Sequence, residues 1–558
     1  MTTRPVLGLI TDGIDGPYQN ELFGELARAA RAQAAHLLCF AGGMLEPDPS
    51  WGGPRNRVYE LAATRRLDGL VVSSATLANR VGSARLSEYM ARFDALPLCS
   101  IGLVLPGAAS IVLDNAAGMR DVVLHLIGHH DLERIAFIEG PEANEEARQR
   151  REGYEAALRE RQLHLDPALV VSGDFSTDSG VRAIRTLLDQ RHASFQGVAA
   201  ASDQMALGAI AELEARGLRV PGAVAVVGFD DELASAYAPR PLTTMRQPLR
   251  AQADEAVRLL LGRRAGQAPP AVSKLHTELV TRRSCGCPMQ RDSFAVALPP
   301  QAADLADRRA LILIELLTAA PELSGTKWAD RLLDALVAQL EGQAGDSFTG
   351  ALDDLAAQAT AAGLDLRTLQ PVISSLRRAT LPALAGSTAL LLQAETLLHE
   401  GRVLLANLIH HREVQRRLEV EGVARVLSGL AQALIGTSDV GSLVEALAAH
   451  LPGLGIPSAY LSLEHGADLR LWLAHDSRRS GPPRVEHAVF PMADLMPREL
   501  WTDAEPRCYV VQSLVSRDRP LGVVLFESGA RDGAVYESLC ALLSAALERV
   551  LRTRDRAI

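Results

Sequence analysis

A chain of 558 residues exceeds one hydrophobic core, and 48% hydrophobic with 22% charged residues excludes a disordered or fibrous protein, so about three or four globular domains are expected. A formal charge of −10 excludes an overall basic footprint for nucleic acid and leaves room only for a local basic patch. No stretch reaches the roughly 18 uninterrupted apolar residues of a membrane helix, no secretory leader opens the chain, and six scattered cysteines fit a reducing compartment. A cytoplasmic protein that does not meet the membrane is therefore expected.

The first elements alternate in type. Val6–Ile10 reads as a strand, a loop with Asp12, Gly13, Gly16 and Pro17 follows, and Leu22, Phe23, Leu26, Ala29 and Ala30 mark the buried side of a helix. Further strands are expected at His36–Phe40, Leu67–Val72 and Leu98–Gly102, and this alternation predicts a doubly wound parallel sheet. The pattern recurs after Ile111, with strands at Arg134–Ile138 and Leu169–Val171, so a second sheet is expected.

The most informative stretch runs from Ala199 to Thr244. A short apolar run ends in Ser202-Asp203, a helical pattern carries Leu207, Ile210 and Leu213 to Gly217, and Val224–Val227 reads as a buried strand ending near Asp230. Two acids thus follow two strand ends, where parallel α/β sheets bind ligands. The plainer reading of the same residues is a helix cap at Asp203 and a turn at Asp230-Asp231.

Cys285-Gly286-Cys287 is the only close cysteine pair. A closed zinc site wants four ligands and two thiols fall short, so no metal and no cofactor is expected. The adjacent pairs His129-His130 and His410-His411 point in different directions from their elements and form no ligand set.

Beyond Phe294 the composition changes, with Leu298-Pro299-Pro300 closing the α/β region. Apolar residues at helical spacing then recur, as in Leu311, Leu313, Ile314 and Leu317, and again in Leu332, Leu333, Leu336 and Leu340, predicting an antiparallel helical bundle. Ala361–Val372 has the outline of a helix-turn-helix, but Pro371 would break a recognition helix starting near Leu366 and fits better as the first turn of its own helix. Val414, Leu418, Val423, Leu427, Leu430 and Leu434 suggest a connecting or dimerising helix. The last stretch alternates again, with strands at Tyr460–Leu463, Leu469–Leu473, Arg507–Leu514 and Leu521–Phe526 and a closing helix from Tyr536.

Asp203-Gln204-Met205-Ala206-Leu207-Gly208, Gly217, Val220-Pro221, Val226–Asp231 and Pro241–Thr244 together resemble the effector-binding core of the LacI/GalR family, relatives of the periplasmic sugar-binding proteins. The resemblance covers roughly residues 5–288 and implies an α/β, two-lobed, hinged core of parallel sheets with the ligand between the lobes. It also implies that residues 242–283 return to the first lobe. Carried over position by position, it makes Tyr18, Asp114, Arg150, Phe175, Asp203 and Asp230 ligand-binding candidates, with Arg148 and Arg151 facing solvent. An arginine fork, carboxylates and aromatic faces suit a small polar ligand such as a sugar or nucleobase.

Ser202 stands where the family usually has asparagine, so ligand identity does not transfer, and only Met1–Arg4 precede the first strand where the family has its DNA-reading helix-turn-helix. The closing residues resemble a GAF-type sensor fold, as in multidomain bacterial sensors. The expectation is three parts: an α/β two-lobed core at 1–290, an all-α segment at 291–435 and an α+β GAF-like domain at 436–558. The expected function is non-enzymatic ligand sensing, with a homodimer passing lobe closure to a downstream signalling protein. The alternative is a LacI-type transcriptional regulator that meets DNA through a non-standard module or a partner.

Overall fold

The computed structural model describes residues 4–46, 53–63, 67–268, 270–287, 305–321, 323, 325, 327–343, 347–362, 364–478, 487–501, 504–517, 519–529 and 532–556. Leu298-Pro299-Pro300 and Gly363 lie outside the described residues. The chain divides into two compact units, Met1–Met289 with Val423–Ile558, and Gln290–Gly422.

In the first unit, β1 (Val6–Thr11), β2 (His36–Ala41), β3 (Gly69–Ser73), β4 (Leu98–Ile101) and β5 (Ala109–Leu113) are almost wholly buried. Strands covered on both faces carry continuous apolar runs, and for that reason these read clearly in the sequence. The chain then builds a second sheet from β6 (Ile135–Glu139), β7 (Val170–Ser172), β8 (Gly197–Ala200) and β9 (Ala225–Val227), ordered β7-β6-β8-β9 and parallel throughout. It returns through β10 (Thr244–Arg246), the helix Leu249–Arg264, β11 (Val272–Leu275) and β12 (Glu278–Val280). β11 pairs in parallel with β5, and the Leu249–Arg264 helix packs on the helix Pro17–Ala32, so the first lobe does take back this segment. β10 and β12 pair antiparallel beside the crossing.

The residues expected as a separate domain at 436–558 share this unit. They form the helix Val440–His450, then β13 (Ser458–His465), β14 (Asp468–Asp476), β15 (Val489–Pro491), β16 (Cys508–Ser516) and β17 (Arg519–Glu527), and the closing helix Ala534–Arg556. β16 lies in parallel on β2, with Cys508 opposite Leu37 and Val511 opposite Phe40, and one eleven-stranded sheet results, β11-β5-β4-β3-β1-β2-β16-β17-β13-β14-β15. The parallel part ends at β16 and the rest is antiparallel. One apolar cluster joins Leu37 and Cys39 to Val510, Phe526 and Tyr536. Polar groups complete the seam: the Arg507 N–H donates to His36 Nδ1 at 3.1 Å, and the Arg507 guanidinium pairs with Asp476 at 3.2 Å.

The second unit is helical among its described residues. Its helices are Leu305–Ala319, Lys327–Leu340, Phe348–Ala361 and Gln370–Leu384, followed by the first part of the long helix Thr388–Ile435. Ile312, Leu316, Leu332, Leu336, Leu352, Leu376 and Leu398 share its core. The first helix is apolar on more than one side, and it buries Ile312 and Leu316 while leaving Leu311 and Ile314 exposed, a different phase from the expected one. Pro371 sits in the first turn of the Gln370–Leu384 helix, preceded by a short 3-10 turn at Leu366–Leu369, and Leu369, Val372, Ile373 and Leu376 are buried. Among the described residues no helix is long and apolar enough to cross a membrane.

Candidate functional site

β8 and β9 both deliver an acid to the same end of the second-lobe sheet. Ser202 caps the helix Asp203–Ala215, its hydroxyl accepting from the Met205 N–H at 3.3 Å, so Asp203 opens the first turn of that helix. After β9, Gly228 passes so close that a Cβ there would collide with the Asp203 carboxylate. The next turn holds Asp230 and Asp231 at φ of +118° and +60°, a conformation side-chain-bearing residues seldom adopt.

Asp203 is fully buried. Its carboxylate accepts from Thr244 Oγ1 at 2.6 Å, Ser235 Oγ at 2.5 Å and the Glu232 N–H at 3.0 Å, which ties the turn after Asp230 and the short helix Leu233–Tyr237 to β10. Burial, then the nearby Asp230 charge, push its carboxyl well above the ordinary range.

Asp230 meets a different partner. Arg150, only 3% exposed, projects from the helix Glu145–Glu160 and donates from Nη1 to Asp230 at 3.2 Å and to the Ala201 carbonyl at 2.6 Å. Its Nε donates to Asn115 Oδ1 at 2.9 Å, its Nη2 lies 3.9 Å from Glu146, and its guanidinium carbon stands 3.9 Å over the Phe229 ring. Gln247 Nε2 donates to Asp230 at 2.6 Å. Burial raises Asp230, with Arg150 and Gln247 opposing, and burial likewise raises Glu146.

Tyr18, at the start of the helix Pro17–Ala32, packs against the first-lobe core. Burial first, and then the charges of Glu146 and Asp230, push its phenol upward. Beside it, Gln19 donates to Asp12 at 3.3 Å. The lobes also touch directly: Asn144 Nδ2 donates to Asn79 Oδ1 at 2.6 Å and to the Ala75 carbonyl at 3.1 Å.

Two further candidates make contacts of another kind. Asp114 caps the helix Asn115–His130, accepting from the Ala117 N–H at 3.3 Å, and pairs with Lys274 at 2.8 Å. Phe175 adopts φ of +66° and packs beside Gly140, where a Cβ would lie 2.5 Å from its ring. Arg148 and Arg151 are exposed and pair with Glu145 and Glu139. The sequence reading missed Asn115, Glu146, Phe229 and Gln247. Glu146 lies four residues before Arg150 on one helix face, a spacing that could have flagged it; Gln247 has no comparable local signal.

Residues 123–285 match the Periplasmic binding protein-like domain. Over 291 residues the chain is 35% identical to the HTH-type transcriptional repressor CytR of Escherichia coli, covering 50% of this chain and 79% of that protein. The chain belongs to the LacI/GalR family. Within it, the HTH-type transcriptional repressor PurR of Haemophilus influenzae is 30% identical over 267 residues, 47% of this chain and 75% of the relative. The HTH-type transcriptional regulator CelR of Thermobifida fusca is 42% identical over 175 residues, which span 31% of this chain and 50% of CelR. The matched residues 123–285 contain the second-lobe sheet, β10, β12 and, of the polar cluster, Arg150, Phe229, Asp230 and Gln247.

Proposed function

We propose that the chain is a ligand-responsive transcriptional regulator of the LacI/GalR type, binding a small polar molecule of the sugar or nucleobase class between its lobes. The observation that carries this reading is the buried Arg150 fork, which stacks on Phe229 and holds Asp230 and Asn115 at one end of the cleft. Such a set recognises hydroxyl or amide groups while the aromatic faces exclude water. We assign the cleft a binding and not a catalytic role. The relatives are transcriptional regulators by name, which favours gene regulation over the signalling-adaptor reading expected from the sequence.

Ligand would act by preferring the closed lobes, a shift of population in a homodimer. The β2–β16 seam supports transmission from the first lobe into the GAF-like strands, since the two share one sheet. DNA contact would come from the helical segment or from a partner.

A thermal-shift screen of sugars, nucleosides and nucleobases on the wild type, Arg150→Ala and Asp230→Asn tests the pocket. A ligand that stabilises only the wild type supports it; one that shifts all three alike places binding elsewhere. Mobility shifts on genomic DNA fragments test the output, with binding that weakens steeply as salt rises and responds to the ligand. Failure to retain any fragment even at about 50 mM salt would remove the regulatory reading.

A further inference from the structure

Two side-chain pairs unused by the ligand cleft converge at the far end of the helix Asn115–His130. That helix ends at His130, with Asp131 after it in the left-handed conformation, and the His130 ring stands against that of His125. The two imidazoles lie with centroids 5.0 Å apart and planes at 80°. Against them stands the turn after β12, Arg283–Cys285, followed by Gly286 at φ of +106° and Cys287. The His130 ring lies 3.4 Å from where a Gly286 Cβ would stand, and glycine here permits the positive φ of the turn.

The sulfur and nitrogen atoms meet at one point. Cys287 Sγ lies 3.4 Å from His125 Nε2 and 3.5 Å from His130 Nε2, and Cys285 Sγ lies 3.5 Å from His125 Nε2. All four ligand atoms fall within 4.8 Å of one another. Around a tetrahedral zinc with Zn–S near 2.3 Å and Zn–N near 2.05 Å, neighbouring S and N ligands sit about 3.6 Å apart. The spacing here is therefore that of ligands around a shared ion.

We propose that His125, His130, Cys285 and Cys287 bind one Zn²⁺ as a closed, structural two-cysteine, two-histidine site. Two thiolates with two imidazoles select zinc over harder cations, and four protein ligands leave no open position for catalysis. Binding releases the two thiol protons to solvent. The sequence expectation of no metal weighed the cysteines alone and read the histidines by adjacency. The relevant spacing is His-x4-His joined in space to Cys-x-Cys, whose halves are too far apart in sequence for a local pattern to reveal.

The position gives the ion a task. The cysteine turn is already held to the second lobe by Ser284, whose hydroxyl donates to the Val226 carbonyl at 2.6 Å and accepts from the Thr243 N–H at 2.8 Å. Zinc would lock this returning segment onto the second-lobe helix just before the chain passes to the helical unit at Gln290.

The test is metal analysis of the full chain purified from zinc-supplemented medium. About one zinc per chain is expected in the wild type and in His129→Asn, whose ring stacks on His125 from the exposed side, and about a tenth of that or less in Cys285→Ser/Cys287→Ser and His130→Asn. Because the double variant could fail to fold, Co²⁺ is added to chelator-stripped wild type as a second measurement. Thiolate-to-cobalt charge transfer with intense tetrahedral visible bands is expected. Metal-free wild type without those cobalt bands would overturn the proposal, as would full zinc retention in a soluble double-cysteine variant.

Discussion

Asp203 and Asp230 each lie three residues beyond the last residue of their strands, Ala200 and Val227, yet they do opposite work. Asp203 is enclosed and saturated by Thr244, Ser235 and the Glu232 N–H. Asp230 is held in a left-handed turn and faces the Arg150 cation. Equal placement at a sheet end therefore does not mean equal access to ligand. What separates the two is which donors the rest of the chain brings: two hydroxyls and a backbone amide make an organiser, and a guanidinium makes a recognition group.

The largest expected effect tests the organiser. Asp203→Ala leaves the Glu232 N–H and two hydroxyls facing an apolar space, and at roughly 1–3 kcal/mol per stranded group the stability loss is about 4 kcal/mol. Urea unfolding reads it directly. A loss below about 1 kcal/mol would erase the distinction between the two acids.

Glu232 bonds to one of these acids through its backbone and feels the charge of the other, and its titration sharpens the contrast. Its N–H serves Asp203, while its carboxyl is pushed up to about 7, first by burial and then by the charge of Asp230. The folded state thus holds a proton that the unfolded chain, with an ordinary value of 4.5, gives up sooner. The sign follows: the contribution is complete below about pH 4.5 and is lost as the pH rises toward 7, up to about 3 kcal/mol. Glu232→Gln stays neutral throughout, so wild type should lose that much stability relative to the variant between these pH values. A difference constant with pH would show that neither burial nor Asp230 shifts Glu232.

Asp230→Asn should cost less stability, about 2 kcal/mol, because Arg150 keeps Asn115 and the Ala201 carbonyl as acceptors. It should nevertheless abolish the thermal shift given by a cleft ligand. Full retention of that shift would make Asp230 another organiser.

The core strands were legible because burial on both faces writes unbroken apolar runs, as in Val6–Thr11. Arg150 could be told from Arg148 and Arg151 through the family resemblance, and the structure buries the first and exposes the other two. The β2–β16 seam was not legible. Pairing between Leu37 and Cys508 leaves no local period, and each strand alone reads as an ordinary buried strand. The four-ligand cluster was hidden for the same reason, and the saturation of Asp203 depended on Ser235 and Thr244, whose hydroxyls carry no sequence signal of their aim.

Asp114 gives the smallest and most discriminating test. Family resemblance makes it a ligand contact, whereas its geometry makes it a helix cap that also pairs with Lys274 of β11. Partial burial opposes ionisation, but the Lys274 ammonium and the Ala117 N–H together hold its carboxyl below the ordinary range. Asp114→Ala should cost about 1 kcal/mol, the usual value of a lost cap. Asp114→Asn keeps a capping oxygen and loses only the half-exposed ion pair, so it should cost a few tenths of that and leave the ligand-induced thermal shift intact. If Asp114→Asn instead removes the shift while stability holds, the carboxylate belongs to the ligand, and the recognition surface extends from Asp230 across the crossing into the first turn of the second lobe.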